Sequence, residues 1–378
     1  MNRIKRFLIN SAVVVTSFLV VFLLLNLIAN IMLPHLIQQD LYPRSMVNSI
    51  GVFYHTFYAK TYDKNPEKWQ AVLGDSHAAG SGDAFLNGEK DYSVVHLLRE
   101  KDANSYFIFG RSSYGSISST REFLLTMQES KRSTFMPVLT APEKFVFLFY
   151  EGNDLNNNLR RLQGATLGSE SIKGFVRNAL NQPPDLARRM DYYLPLARFM
   201  FGLETLKKLR DFFPKKHKPP RATVNSMEVK GTLTGIDIPL QTAALELTPG
   251  ELSDTLTIFF ECLHYLQEAY PNSSMEIVYI PSVVTVYPWR QPITLRVYHA
   301  GRGKTSATIE ENAARSLWIR EQIASHAGAH GYDFIDVTES MKAVAMTTML
   351  HGPKDWEHPN QLGYQLVRDA ILTARGQQ

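Results

Sequence analysis

The chain has 378 residues, a formal net charge of +4 and a single cysteine, Cys262. Apolar residues make up 44% of the sequence and charged residues 20%, which allows a sizeable core and excludes a mostly disordered chain. One cysteine excludes an intrachain disulfide framework and any multi-cysteine zinc or iron–sulfur site. The lack of a Gly-X-Y repeat excludes a collagen-like fibre.

The first forty residues predict a membrane-spanning helix. Arg3, Lys5 and Arg6 precede a stretch, residues 7–39, without any Lys, Arg, Asp or Glu. Its most apolar part, Ser11–Leu33, is long enough to cross a hydrocarbon layer of about 30 Å. Basic residues before the span, and none close behind it, predict a single-pass protein of the inner (plasma) membrane whose bulk lies on the periplasmic or extracellular side. A cleaved signal peptide is the alternative; the length of the apolar run and the lack of a clean small-x-small cleavage site oppose it.

Five short apolar β-type runs alternate with helix-like segments along the rest of the chain, which predicts a three-layer α/β/α domain around a parallel sheet. Thr248, Pro249 and Glu251 mark one helix start, because a capping residue, a proline in the first turn and an early acid favour it. The predicted strands are Trp69–Leu73, Tyr106–Phe109, Phe145–Tyr150, Met275–Ile280 and Tyr332–Ile335. The predicted helices are Tyr92–Lys101, Ser118–Ser130, Pro249–Tyr270, Ser306–His326 and Asn360–Ala374.

The domain organisation predicted from these patterns has three parts. Residues 1–39 form a cytosolic tip and anchor, 40–67 an irregular connector, and 68–378 the α/β domain. A basic insertion at 160–221 lies between the third and fourth strands, with 14 Lys or Arg and 5 Asp or Glu, a local charge of +9. Within it, Tyr192–Phe213 has the spacing of an amphipathic helix. The insertion is either a solvated lid whose apolar face packs on the domain, or a contact for an anionic membrane or glycan.

Three local patterns carry residues suited to acyl chemistry. Ser76 follows the first predicted strand within Gly-Asp-Ser-His, and a serine becomes a good nucleophile when a base takes its proton. Asp355 and His358 stand three apart just before a helix, so the carboxylate can orient the ring while the other ring nitrogen faces the serine. Asn153 follows the third strand, where its amide can donate to a developing oxyanion. Taken singly, each pattern is more often an ordinary turn or a surface histidine.

Together the three patterns resemble the SGNH hydrolases of the GDSL esterase superfamily. Gly-Asp-Ser at 74–76, Gly-Asn-Asp at 152–154 and Asp-x-x-His-Pro-Asn-x-x-Gly at 355–363 occur in the family's order. The resemblance covers roughly residues 70–160 and 272–375. It implies a flavodoxin-like fold with a five-stranded parallel sheet and a Ser-His-Asp site at the carboxyl ends of the strands.

The resemblance also implies a role for each matching residue. Ser76 would be the nucleophile, His358 the base and Asp355 the residue that orients the base. The backbone N–H of Ser76 and the side chain of Asn153 would be two donors of the oxyanion hole. The third donor would be the backbone N–H of Ser113, at a position where the family usually has glycine, with Gly115 as the alternative.

Other positions match less closely or have supporting roles. His77 replaces the aliphatic residue that usually follows the nucleophile, and it is interpreted either as a substrate contact or as a turn histidine. Asp75 and Asp154 match positions that mostly hold loops. The implied acyl transfer through an acyl-enzyme needs no metal ion and no organic cofactor.

Topology and chemistry together suggest the substrate class. A domain exported on a single helix cannot reach cytosolic acetyl-CoA, so a transferase of this kind would receive its acyl group from a membrane partner, such as a multispanning acyltransferase, or from another exported ester. The leading hypothesis is an envelope enzyme acting on O-acyl groups, chiefly O-acetyl groups, of a surface glycan, as O-acyltransferase or O-acetylesterase. The alternatives are a lipid esterase or lipase at the membrane surface, and a catalytically silent envelope scaffold. The scaffold stays an alternative because Ser113 stands where the family usually has glycine. Nucleic acid is not expected as a partner of an exported domain.

Overall fold

A computed structural model describes residues 3–38, 68–87, 89, 91–101, 105–131, 139–164, 171–183, 223–296, 298 and 305–377. The predicted connector, 40–67, and the predicted amphipathic helix, Tyr192–Phe213, lie outside the described residues. Of the basic insertion, only 160–164 and 171–183 are described. The chain forms two units, and the amino-terminal helix and the α/β domain are therefore presented separately.

The amino-terminal helix, α1, runs from Arg3 to Gln38. Its stretch Ile4–Ile28 has a mean hydropathy of 2.6 and almost entirely exposed side chains. A helix of 25 residues rises about 37 Å, enough to cross a bilayer core. The predicted membrane-length helix is therefore present; a signal sequence has the same length and composition.

The α/β domain is built around a five-stranded parallel sheet in the order β2-β1-β3-β6-β9. This is the flavodoxin-like order, and all five predicted strands are confirmed to within two residues. A two-stranded hairpin, β4–β5, and a short pair, β7–β8, lie outside the main sheet. The strands are β1 Trp69–Gly74, β2 Ser105–Ile108, β3 Lys144–Tyr150, β4 Asn225–Val229, β5 Thr232–Ile236, β6 Ser274–Ile280, β7 Ile293–Thr294, β8 Ser306–Ala307 and β9 Asp333–Asp336.

Helices cover both faces of the sheet. The remaining helices are α2 Asp83–Asn87, α3 Val94–Arg99, α4 Ser116–Ser130, α5 Asp154–Gln163, α6 Ile172–Asn181, α7 Pro249–Ala269, α8 Val283–Val286, α9 Ile309–His330, α10 Thr338–Ala345 and α11 Gln361–Ala374. Helices α3 and α11 pack together, and α7 packs against α4, α5 and α6. The step from β1 to β2 leads towards one edge of the sheet, and the step from β2 to β3 leads towards the opposite edge. Because crossovers between parallel strands are right-handed, α3 and α4 therefore lie on opposite faces of the sheet. The predicted three-layer architecture is confirmed.

The core is continuous and aromatic. The ring of Trp69 meets Phe107 edge-on at 4.9 Å, and Phe123 meets Phe145 edge-on at 5.0 Å. Such edge-to-face pairs are favourable beyond the area that they bury. Because β1, β2 and β3 are buried almost throughout, the sheet is a rigid platform whose carboxyl ends lie at one edge.

Candidate active site

The turn after β1 carries Ser76 at the carboxyl edge of the sheet. Gly74, the last residue of β1, has a φ of +147°, and a Cβ there would lie 2.7 Å from the carbonyl oxygen of Leu148 on β3. Glycine lets the chain leave β1 this close to its neighbour, since it has no Cβ. The Ser81 N–H donates to the Ser76 carbonyl at 2.9 Å and closes the turn. Ser76 is thus fixed where parallel α/β sheets bind their ligands.

The loop between α10 and α11 brings His358 and Asp355 to Ser76. The Nε2 atom of His358 lies 2.7 Å from Ser76 Oγ, and its Nδ1 atom lies 2.7 Å from Asp355 Oδ2. The other oxygen of Asp355 accepts hydrogen bonds from the backbone N–H groups of Glu357 at 2.9 Å and His358 at 3.2 Å. The structure therefore brings together the three residues that the sequence singles out, in the order serine, ring and carboxylate.

Two side chains hold this loop in place. Asp83, at the start of α2, accepts from the backbone N–H groups of Lys354 at 3.1 Å and Asp355 at 2.6 Å. Asn360 caps α11 by accepting from the N–H of Gly363 at 3.1 Å. The carboxylate of Asp355 and the ring of His358 are consequently fixed from both ends of the loop.

The environment of Asp355 favours its ionised form. Burial raises the pKa of the Asp355 carboxyl, but the hydrogen bond and the charge of the His358 ring outweigh burial and hold the pKa below its ordinary value. The carboxylate is therefore ionised at neutral pH, and it favours the form of the ring that carries a proton on Nδ1.

His77 lies behind the reacting groups. Its ring is fully buried and stacks on Tyr150 with 3.8 Å between centroids. Both its Nδ1 atom, at 3.0 Å, and its backbone N–H, at 2.8 Å, contact Asp75 Oδ1. Burial lowers the pKa of His77 and outweighs the opposing charge of Asp75. Of the two interpretations of His77, the structure favours the turn histidine, because a fully buried ring has no face open to a substrate.

Asn153 lies at the start of α5, immediately after β3. Asn157 Nδ2 donates to Asn153 Oδ1 at 3.4 Å and to the carbonyl of Tyr114 at 3.0 Å. The first bond occupies the acceptor end of the Asn153 carboxamide, so the NH2 end is the part oriented away from Asn157. Asp154 Oδ2 accepts from the backbone N–H of Tyr150 at 2.9 Å and holds the turn, the supporting role expected from the sequence.

Ser113 and Gly115 lie in the loop after β2. Ser113 is exposed and has a φ of +66°, a left-handed conformation in which glycine is usual. Gly115 is buried, and a Cβ there would lie 2.6 Å from Asn158 Oδ1. The backbone at Ser113 thus has a glycine-like conformation, whereas Gly115 allows the loop to approach α5.

Three side chains beside the site were missed by the sequence analysis. Asp83 acts only through backbone groups of the loop at Asp355. Tyr150, at the end of β3, donates to the carbonyl of Glu357 at 3.2 Å, and Arg296 forms an ion pair with the Glu357 carboxylate. No local pattern could have identified these residues, since their partners lie far along the chain.

Glu151 is a fourth residue that the sequence analysis did not interpret. It is fully buried and accepts from the hydroxyl groups of Ser282 at 3.2 Å, Thr285 at 2.6 Å and Ser316 at 3.1 Å. Burial raises the pKa of Glu151 even though these hydrogen bonds oppose it. The carboxyl group joins the end of β3 to the segment after β6 and to α9, and so holds the edge of the sheet that carries the site.

Comparison with known proteins gives matches among solved structures only. An α/β hydrolase from the metagenome of Lake Arreo, Spain, is 12% identical with a TM-score of 0.36, over 82% of this chain and 96% of that one. An extracellular lipase from Streptomyces rimosus is 12% identical with a TM-score of 0.38, over 81% and 99%. A catalytic mutant of an acetylxylan esterase from Geobacillus stearothermophilus is 10% identical with a TM-score of 0.36, over 83% and 96%. No family model and no curated protein matches the sequence.

Strand order and the positions of the three motifs decide the fold type. The Gly-Asp-Ser turn follows β1, the Gly-Asn-Asp turn follows β3, and the Asp-x-x-His loop precedes the last helix. The fold is a flavodoxin-like α/β/α sandwich, the fold class that the resemblance to the SGNH hydrolases implies.

Proposed function

We propose that the chain is a serine acyl-ester enzyme in which Ser76 forms an acyl-enzyme. The observation that carries the proposal is the continuous line of short contacts from Ser76 Oγ through both nitrogens of His358 to Asp355, 2.7 Å at each step. A serine, a ring and an ionised carboxylate in this order form a general-base relay.

The reaction begins when Ser76 Oγ attacks an ester carbonyl and His358 Nε2 takes the hydroxyl proton. Asp355 keeps the other proton of the ring on Nδ1 and stabilises the ring while it is charged. The negative oxygen of the tetrahedral intermediate accepts from the N–H of Ser76, the N–H of Ser113 and the amide of Asn153. His358 then gives its proton to the departing alcohol, and an acyl group remains on Ser76. Water or a substrate hydroxyl removes this acyl group.

The proposed substrate is an O-acyl group, chiefly O-acetyl, of a cell-surface glycan. The apolar helix α1 supports this proposal, because a chain anchored by it has its catalytic domain outside the cytosol. An exported transferase would depend on a membrane partner, such as a multispanning acyltransferase, for its acyl group. Hydrolysis of an O-acetyl ester needs no such partner.

Esterase activity of the full chain in detergent micelles tests the proposed nucleophile. Ser76→Ala is expected to lower kcat on p-nitrophenyl acetate at least about 10³-fold, as loss of a serine nucleophile does in comparable enzymes. Ser253→Ala, an exposed position on α7, is the matched control and is expected to keep full activity. A fluorophosphonate probe should label the wild-type chain on the peptide that contains Ser76. Equal activity of Ser76→Ala and wild type would contradict the assignment.

Acyl-chain preference separates the glycan proposal from a lipid esterase. The wild-type chain is expected to prefer p-nitrophenyl acetate to p-nitrophenyl decanoate in kcat/KM. A preference for decanoate would favour lipid substrates at the membrane surface. Transfer is distinguished from hydrolysis by adding a hydroxylated oligosaccharide, since a transferase produces an acylated sugar in place of free acetate.

A further inference from the structure

Three histidines from two helices form a cluster that the proposed reaction does not use. His264 lies on α7, and His326 and His330 lie one turn apart on α9. The helix α7 ends at Ala269, just before β6, and α9 ends at His330, just before β9. The cluster therefore lies at the amino-terminal edge of the sheet, whereas Ser76 lies at the carboxyl edge.

The spacing of the three side chains suits a metal ion. His264 Nε2 and His330 Nε2 are 3.1 Å apart, and one nitrogen from each of the three rings lies within 4.8 Å of the others. Two nitrogens bound to zinc at its usual distance and tetrahedral angle would be about 3.3 Å apart. The pair on facing helices already has this separation, and a nitrogen of the third ring lies within 4.8 Å of both.

Neighbouring groups hold the rings in the form that binds metal. His330 Nδ1 lies 2.8 Å from the carbonyl of His326, so it carries the proton and leaves the Nε2 lone pair for a ligand. His264 Nδ1 lies 3.7 Å from the Glu261 carboxylate, one turn earlier on α7. Ligating histidines in metalloproteins have their second nitrogen hydrogen-bonded to a carbonyl or carboxylate, as His330 Nδ1 is here.

His326 provides an independent observation. Its ring stacks on Phe260 with 3.9 Å between centroids, which fixes the ring plane. Its Nε2 atom is buried and has no hydrogen-bond partner within the described part of the chain. A buried polar atom without a partner is costly, and coordination of the ring would offset that cost.

We propose that His264, His326 and His330 bind a divalent transition-metal ion of the zinc type. Three neutral imidazoles suit zinc and its neighbours rather than calcium or magnesium, which prefer oxygen ligands. A water molecule completes a tetrahedral shell. The ion links α7 to α9 and stabilises the folded domain, because it binds the folded chain in preference to the unfolded one.

Zinc binding by the full chain tests this site. The protein carries an affinity tag without histidine, is kept in detergent micelles, and is stripped with a chelator and dialysed. Titration with Zn²⁺ against a chromophoric chelator is expected to give one ion per wild-type chain. His264→Gln and His326→Ala are each expected to weaken binding at least about tenfold. Ser325→Ala, an exposed neighbour on α9, is expected to bind as wild type does.

Two further measurements keep folding and catalysis apart from metal binding. Zinc is expected to raise the thermal midpoint of wild type and Ser325→Ala, but not that of His264→Gln, whose partly exposed side chain can change without loss of the fold. Ser76→Ala is expected to bind zinc with unchanged affinity, so failure of the proposed catalysis leaves this test intact. Unchanged zinc affinity in both histidine variants, or no rise in the wild-type midpoint, would overturn the proposal.

Discussion

Asp83 joins two parts of the site that are far apart in the sequence. Its carboxylate accepts from backbone groups of Lys354 and Asp355, 271 and 272 residues further along the chain. It contacts neither the ring of His358 nor Ser76 in the structure, and it acts on them only by fixing the loop. Asp83 is therefore a positioning residue.

Replacing Asp83 is expected to slow the reaction more than it weakens substrate binding. Asp83→Ala leaves two backbone N–H groups without their acceptor, and a small shift of Asp355 and His358 is expected to lower kcat by about 10- to 100-fold. Asp83→Asn keeps an acceptor oxygen and should recover much of the activity. Asp237→Asn, an exposed position on the segment after β5, is the control. A change in KM alone would contradict the positioning role.

His351 makes stability depend on pH. Burial, together with the nearby His77 ring, lowers the pKa of His351 to about 3, against about 6.5 in an unfolded chain. Between these values the unfolded chain binds one proton more than the folded chain, so stability falls as the pH falls. From pH 7 to pH 5 the loss from this group is about 2 kcal/mol.

His351→Gln removes this titration. The variant is expected to be less stable than wild type at pH 7, because it loses the ring that contacts the Tyr287 hydroxyl at 3.2 Å. It should nevertheless lose less stability than wild type between pH 7 and pH 5. Thermal unfolding of both proteins at the two pH values measures the difference. Equal losses of stability between pH 7 and pH 5 in the two proteins would contradict the lowered pKa of His351.

The three residues of the relay could be found from the sequence, because each belongs to a short local pattern at the end of a predicted element. Asp83 and Tyr150 could not, since they act on backbone groups that only the fold brings near. Ser113 is intermediate between these cases. Its position was inferred from the family's glycine, whereas its left-handed φ of +66° is visible only in the structure.

At the scale of elements, β1, β2, β3 and β6 were predictable because each is a largely apolar run that is buried almost throughout. The edge strand β9 is shorter and only Ile335 in it is buried, so its prediction depended on the apolar residues of 332–335. The start of α7 was also predictable, and Thr248 and Glu251 form a full capping box there. The helix predicted at Ser306 begins instead at Ile309, because Ser306 and Ala307 pair with β7. The hairpin β4–β5 was missed, since its strands are short and largely polar.

The first turn of α5 connects the loops that carry two proposed oxyanion donors. Asn157 bonds to the side chain of Asn153 and to the carbonyl of Tyr114, the residue after Ser113. Asn158 accepts from the N–H of Ser116 at 3.0 Å, at the start of α4. The helix therefore sets the position of one loop relative to the other.

Asn157→Ala is expected to lower kcat on p-nitrophenyl acetate about tenfold, with a smaller effect on KM. The reason is that the Asn153 amide loses the bond that turns its NH2 group away from α5, and an oxyanion donor matters most in the transition state. Gln163→Ala, exposed at the end of the same helix, should leave kcat unchanged. If Asn157→Ala raised KM and kept kcat, the role of Asn157 would be in substrate binding instead.

At the scale of the whole molecule, charge is distributed unevenly. The net +4 of the chain is composed of +9 in residues 160–221 and −5 elsewhere. The apolar stretch Ile4–Ile28 follows an amino-terminal tip whose charged residues are all basic, a pattern that predicts a helix with its start in the cytosol. In the proposed membrane-anchored enzyme, a basic segment near the membrane would be attracted to anionic headgroups or glycans.

The full chain is expected to remain in the membrane fraction after an alkaline carbonate wash and to keep its complete mass, because α1 is long and apolar enough to anchor it in the bilayer core. If residues 1–39 are exchanged for a cleavable signal peptide, the enzyme should appear in the soluble periplasmic fraction. Its kcat/KM on p-nitrophenyl acetate should be unchanged, since the relay of Ser76, His358 and Asp355 contains no group from α1.

Mass spectrometry of the mature chain decides between anchor and signal sequence. A mature amino terminus beyond Ile28 would identify α1 as a cleaved signal, and the catalytic proposal would then apply to a released enzyme.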